Sequence, residues 1–200
     1  MKIIHSDFQI RPAPSHSARA VEHLYDNVFG GARFQKASHR FREGVESISE
    51  LNWVAMEGDR LVGAIRYWPI LVGNAGHQAL LLGPLAVTPN RIRRGIGSAL
   101  MLKTLSLAAY LGHDLVLLVG DPDYYGRFGF VPASPRGFIM PGEKRPDRLQ
   151  VKPLKALILD RVSGALRRAD TEQLPAAAHA GLRTFRPRTI RLHAVHLHAR

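Results

Sequence analysis

Two apolar runs and the helix between them constrain this chain more than any other feature. Ala79 to Val87 (ALLLGPLAV) and Asp114 to Val119 (DLVLLV) are apolar at almost every position. A strand with one wet face alternates apolar and polar residues, so a run without alternation is covered on both faces. Between the two, Gly95 to Leu111 sets Ile96, Leu100, Leu107 and Leu111 on one helical face, and Gly112 is placed to stop it. Strand, helix, strand with both strands buried is a crossover unit, and its strands run parallel. Gly83-Pro84 interrupts the first run. Proline has no N–H for a ladder, which predicts a bulge or local unpairing there.

The flanking elements follow the same signals. Phe8 to Arg11 is a short first strand, stopped by Pro12 and Pro14, and Ser15 is expected to cap a helix carrying Val21, Leu24, Val28 and Phe29 on one face. Gly30-Gly31 ends that helix, and a more polar one is expected over Phe34 to Arg42, stopping near Gly44. Trp53 to Met56 and Leu61 to Leu71 make a hairpin about the turn Glu57 to Arg60. Gly73 to Gly76 turns the chain into the first apolar run. After the second run, Asp121-Pro122 opens a short helix with aspartate as N-cap and proline in the first turn. Strands are expected from Gly129 and over Leu149 to Leu159.

Composition bounds the chemistry. There is no cysteine, which excludes disulfide frameworks, thiolate zinc sites and thiol nucleophiles. The N-terminus has too short an apolar stretch for a signal peptide, and no run approaches the roughly 18 apolar residues of a membrane span, so a cytoplasmic protein is expected. The net charge is +12, and from Val151 onward ten Lys/Arg face three Asp/Glu. We therefore expect a mildly basic domain over 1–169 and a basic Arg/His/Ala-rich tail over 170–200. A solvated tail is the plainer reading, and docking on nucleic acid or an anionic surface the sharper one. His193, His196 and His198 lie close together in it, but without an organised scaffold no metal is expected.

The segment GPLAVTPNRIRRGIGSAL carries the chemistry. A buried strand ends, a Pro-Asn turn follows, and a loop with two glycines opens a helix. The first turn of a helix leaves N–H groups unpaired and its dipole puts partial positive charge there. Gly95 and Gly97 remove side chains that would block a diphosphate, and Arg91, Arg93 and Arg94 add full charges. The dinucleotide fingerprint fails because Leu100 stands where its third glycine belongs, and the phosphate-loop lysine is missing. A nucleotide-binding α/β protein is thus a poor fit.

The loop resembles the Gln/Arg-x-x-Gly-x-Gly/Ala signature of the GNAT superfamily of acyl-CoA N-acyltransferases. PDYYGRFGF resembles that superfamily's second signature, a tyrosine four residues before Gly-Phe: here Tyr125 before Gly129-Phe130. LGPLAV followed by GDPDYYGRFGF looks especially like a bacterial subfamily of predicted small acetyltransferases. The match covers Leu82 to Phe130. The position that opens the first signature holds Ile92, so any contact to pyrophosphate there falls to main-chain amides.

The resemblance implies an α/β fold (α+β by some schemes): a central mixed, mostly antiparallel twisted sheet of about six to seven strands. It also implies one parallel splayed pair and about four helices. It implies acetyl-CoA as acyl donor, with Leu85, Ala86 and Val87 pairing to the pantetheine arm and a bulge N–H polarising the thioester. Ile92, Arg93, Arg94, Gly95, Ile96, Gly97 and Ser98 would hold the pyrophosphate, and Tyr125 would both contact the donor and protonate the leaving thiolate. The acceptor implied is a primary amine of a small molecule or peptide, on a monomer or homodimer. A non-catalytic CoA-binding module with a docking tail is the alternative. Glu46, Glu50, His77 and Asp121 are the candidate general bases. Trp53, Tyr67, Trp68, Phe29, Phe34 and Phe41 are the aromatics that could border an acceptor pocket.

Overall fold

A computed structural model describes residues 8–169. The expectations for the basic tail, including His193, His196 and His198, lie outside the described residues.

The sheet is built on period-two sequence. Strand β3 (Arg60–Val72) pairs antiparallel with β2 (Trp53–Glu57) and β4 (His77–Val87), and β1 (Gln9–Pro12) adds to β2. Strand β5 (Leu115–Val119) joins β4 in parallel. Strands β8 (Leu149–Pro153) and β6 (Val131–Pro132) complete the order β1-β2-β3-β4-β5-β8-β6. Two short strands lie off this path: β7 (Phe138–Ile139) pairs with β9 (Gly164–Arg168), which also pairs with β3.

Alternation along β4 and β5 divides the core. Leu80, Leu82, Val116 and Leu118 point to the cluster under helix α3 (Ile96–Tyr110), while Ala79, Leu81, Leu115 and Leu117 point to the opposite cluster. Both faces are covered, as the apolar runs require. Helix α3 buries Ile96, Leu100, Met101, Thr104, Leu105 and Ala108; Leu107 and Leu111, expected at the centre of its face, are only partly buried. On the other face lie helix α1 (Ala18–Phe29), through Val21, Leu24 and Tyr25, and helix α2 (Ala37–Arg40), with Phe41 following it. Gly63 admits the start of α3, since a β-carbon there would meet Ile96 Cγ2 at 2.8 Å.

Several local expectations are corrected. Ser15 does not cap α1: Ser15–Ser17 is a short 3-10 turn, Ser17 holds the cap position, and its hydroxyl donates to Pro14 O at 2.6 Å instead of accepting. The helix expected over Phe34 to Arg42 is broken at Lys36, whose backbone is extended between the 3-10 turn Gly31–Gln35 and α2. The strand expected over Leu149 to Leu159 ends at Pro153, after which Leu154 and Lys155 donate to Asp114 O and Ile158–Asp160 forms a 3-10 turn.

The predicted irregularity at Gly83-Pro84 is a bulge. Ile65 pairs with Leu85 and Tyr67 with Leu82, so both residues stand opposite Arg66 alone. The carbonyls released there are satisfied by side chains: Trp68 Nε1 donates to Gly83 O at 2.8 Å and Tyr25 Oη to Pro84 O at 3.1 Å. Before the bulge, β4 pairs with β5 at Leu80–Val116 and Leu81–Leu117; beyond it, β5 continues along β8 only. The two parallel strands part from Leu82 onward.

Candidate active site

The parting leaves a cavity of about 390 Å³ between the strand ends, walled by Leu82 to Leu85 on one side and Leu118 to Asp121 on the other. From Leu82 to Val87, the edge of β4 that faces β5 carries no ladder bond, while Leu85, Ala86 and Val87 remain paired to β3. Alternate backbone groups on that edge are open to an extended ligand.

Next to it stands the glycine loop. After the 3-10 turn Pro89–Arg91, Ile92 is extended and 59% exposed, Arg93 is left-handed at φ 67°, and Gly95 is left-handed at φ 81° where α3 begins. Ala99 N–H, donating to Gly95 O, is the first amide of the helix to find a partner. The amides of Arg93, Arg94, Gly95, Ile96, Gly97 and Ser98 donate to no described residue. That is a row of unpaired donors at the positive end of a fifteen-residue helix. Arg93 and Arg94 are exposed. Arg91 is not available to the loop, because its Nε is paired with both carboxylate oxygens of Glu57 at 2.7 and 2.8 Å.

Helix α4 (Pro122–Gly126) faces this loop across the gap. Asp121 caps it as expected, accepting from Asp123 N–H at 3.0 Å. A β-carbon at Gly97 would lie 2.9 Å from Tyr124 Oη, so the tyrosine hydroxyl sits over the first turn of α3. Tyr125 is held between Tyr124 and Phe130, with ring centroids 4.9 and 6.0 Å away. Gly120 makes room for it: a β-carbon there would come within 2.1 Å of its ring. Both tyrosines line the cavity. Burial, with Tyr124 and Asp121 adding to it and Arg148 opposing, pushes the Tyr125 phenol up to about 12. At neutral pH it is a protonated donor.

The candidate bases separate clearly. Asp121 lines the cavity. His77 begins β4, roughly 26 Å along an extended strand from Leu85, and lies 3.7 Å from Asp114. Glu46 is exposed, and Glu50 accepts from Ser49 at the surface. Of the aromatics, only Phe29 borders the cavity. Tyr67 is buried against Thr104 at 2.8 Å, Trp53 donates to Glu50 O, Trp68 braces the bulge, Phe41 is core and Phe34 is exposed.

Sequence reasoning missed the other wall. Arg33, Lys36, Arg42 and Arg148 line the cavity from three separate stretches of chain. Only net charge hinted at them, and most of that charge lies elsewhere. Among the described residues there is no group of three or more His, Cys, Asp or Glu suited to hold a metal, and no helix long and apolar enough to cross a membrane.

Known proteins share this fold. The Escherichia coli K12 protein named uncharacterized N-acetyltransferase YhbS is 27% identical over 118 residues, 58% of this chain and 70% of that protein. The crystal structure of E. coli YhbS in complex with CoA superposes with a TM-score of 0.69 at 26% identity, covering 81% of this chain and 89% of that one. A Brucella melitensis GNAT acetyltransferase in complex with acetyl-CoA shares the fold, with a TM-score of 0.61 at 23% identity over 82% and 97% of the two chains. The family described as acetyltransferase (GNAT) domain matches residues 9–133, from β1 through the crossover and the Tyr125 helix. With well over half its length matched, the chain belongs to the GNAT family of acetyltransferases.

Proposed function

We propose that this enzyme transfers an acetyl group from acetyl-CoA to a primary amine of a small molecule or peptide by direct attack, with no covalent enzyme intermediate. The observation that carries the reading is the unpaired amide row from Arg93 to Ser98 beside an open strand edge. Donors at a helix start suit a diphosphate, and the edge of Leu85, Ala86 and Val87 suits an amide-bearing arm such as pantetheine. The residues fit the donor in a second way: the absence of β-carbons at Gly95 and Gly97 keeps the amide row approachable. Arg93 and Arg94 serve as auxiliary charges, and Ile92 contributes through its backbone alone. The relatives crystallised with CoA and acetyl-CoA support the same ligand.

When bound, the donor supplies a thioester carbonyl as electrophile. The amine forms a C–N bond as the C–S bond breaks, and the thiolate takes its proton from Tyr125. The proton lost by nitrogen returns to the phenolate, so the reaction neither consumes nor releases protons overall. With its phenol pushed up to about 12, Tyr125 is a firm donor, though less closely matched to a thiol than an ordinary phenol would be. Of the candidate bases, Asp121 is the one that lines the cavity, where it also caps α4. A cytoplasmic setting is kept as part of this proposal. We read residues 1–169 as the catalytic domain and 170–200 as its basic appendage.

Thiol release from acetyl-CoA across a panel of amines tests the proposal. Transfer to at least one class of amine is expected. Tight binding of acetyl-CoA with no thiol release from any amine would favour the alternative, a CoA-binding module without catalysis.

A further inference from the structure

Among the described residues, the lining of this cavity has an unusual charge balance. Lys36, Arg42 and Arg148 line it, and the only carboxylate there is Asp121, already engaged as a helix cap. Arg33 also lines the cavity but is neutralised by Glu22 at 2.8 Å and Asp26 at 2.9 Å. Glu22 holds Arg66 as well, and Glu143, the acid that acts on Lys36, accepts from Arg145 N–H at 2.9 Å. Arg42, Lys36 and Arg148 make no ion pair with a described residue. Lys36 lies over the Phe29 ring at 5.2 Å, a weak partner for a charge.

Arg42 is the strongest element. Its Nε is sealed from solvent and has no hydrogen-bond partner among the described residues. A guanidinium in that state is costly to the fold unless something else satisfies it. Its terminal nitrogen lies against the bulge, 3.4 Å from where a β-carbon on Gly83 would stand. Burial lowers its pKa to about 10, which still leaves it charged at neutral pH. Lys36 is lowered too, by burial first and then by Arg148 and Arg42, with Glu143 opposing, so the three cations act on one another. Arg148 is fixed by its backbone, its carbonyl accepting from Gly120 N–H at 2.9 Å.

We propose that this cluster recognises an anionic group on the acceptor, so that the substrate is a small amine bearing a carboxylate or phosphate close to its nitrogen. The inference rests on the transferase reading for the identity of the site, but not for its charge. Gly83, beside Arg42, and Leu85, beside the expected thioester, are two residues apart across the bulge, a separation of at most roughly 7 Å. An anion held at Arg42 therefore presents an amine only a few bonds away to the reacting carbon. The cavity, about 390 Å³, is near the lower end of ligand pockets and suits such a compact molecule beside the donor arm. A planar guanidinium with free donors gives a carboxylate or phosphate a directed, charge-assisted contact.

Matched pairs of amines test this: β-alanine against β-alaninamide, and O-phosphoethanolamine against ethanolamine. Each is titrated calorimetrically into the CoA-loaded protein and assayed for thiol release with acetyl-CoA. The anionic member of at least one pair is expected to bind at least about tenfold more tightly than its neutral mate, and the pair with the larger ratio names the anion. Arg42→Gln should reduce that preference below about threefold while the acetyl-CoA Kd stays within about twofold. Arg148→Gln, which leaves the backbone bond to Gly120 in place, should reduce it in the same direction. Equal binding of both mates, or equal loss of both in the variants, overturns the proposal. Selective binding without thiol release upholds the anion site and sinks the transferase reading. Thiol release at equal kcat/KM for both mates does the reverse.

Discussion

The two sides of this cleft, one proposed for the donor and the other for the acceptor, are built from different materials. The Arg93 to Ser98 loop is a contiguous piece of backbone whose binding capacity lies in amide groups, with its arginine side chains exposed. The Lys36, Arg42 and Arg148 wall is assembled from side chains that flank α2 and precede β8, and the Nε of Arg42 is sealed from solvent with no partner among the described residues. A backbone site tolerates side-chain change and is damaged by anything that fills its space. A side-chain site is the opposite: it is specified residue by residue, and the empty protein bears its cost.

The sharpest way to break this comparison is to add bulk to the loop. Gly97→Val puts side chain where a β-carbon alone would reach Tyr124 Oη at 2.9 Å and obstructs the amide row. Acetyl-CoA affinity, measured calorimetrically, should fall about 100-fold, or roughly 2.7 kcal/mol. An unchanged Kd would mean that the diphosphate lies elsewhere. The next effect concerns chemistry. Tyr125→Phe should lower kcat at least about tenfold with the acetyl-CoA Kd unaltered, and unchanged turnover would remove the tyrosine from the mechanism.

Removing loop side chains should matter much less than filling the loop. Arg93→Ala with Arg94→Ala is expected to weaken acetyl-CoA binding only about fivefold, with the loss shrinking as salt is added. A loss comparable to that of Gly97→Val would show that the loop binds through charge rather than backbone. On the other wall, Arg42→Met should stabilise the ligand-free protein by about 1 kcal/mol, since it deletes a charged group whose Nε is sealed from solvent without a partner. The thermal midpoint would rise by roughly 2–4 °C, and a fall would mean that the guanidinium is satisfied in the empty protein.

The smallest effect is a predicted absence. Burial raises the Tyr125 phenol to about 12, so it keeps its proton through the range in which amines lose theirs. The kcat profile should rise with pH and show no descending limb below pH 10; a falling limb near pH 9 that vanishes in Tyr125→Phe would contradict this. For stability the sign is the same. A folded-state pKa above the unfolded value near 10 means that the folded protein holds this proton more tightly, so stability is lost as pH climbs from about 10 to 12.

Much of the scaffold was legible because its signals are local. Apolar runs on both faces, the helix between them and a proline inside a ladder predicted the parallel pair and the bulge. Asp121-Pro122 predicted a capped helix. What failed depended mostly on partners distant in the chain, the Ser15 cap being a local exception. Strand β9, GALRR, has one buried side chain and exists because Gly73 and Ile70 to Val72 lie beside it. Ser15 carried a sound capping signal, but Ser17, two residues on, took the position. Arg91 looked like an anion ligand until Glu57, across the hairpin turn, was found to hold it.

The sequence by itself determined the donor side: strand, glycine loop and helix start are consecutive, so their chemistry is written in one stretch of eighteen residues, Gly83 to Leu100. Only the tertiary structure decided the acceptor side. The break at Lys36, the bulge at Gly83-Pro84 and the turn before Leu149 bring three cations together, and Glu22 and Asp26 are used up on Arg33 and Arg66. Charge pairing is a matter of distance in space, and no count along the chain reveals which cation is left without an acid.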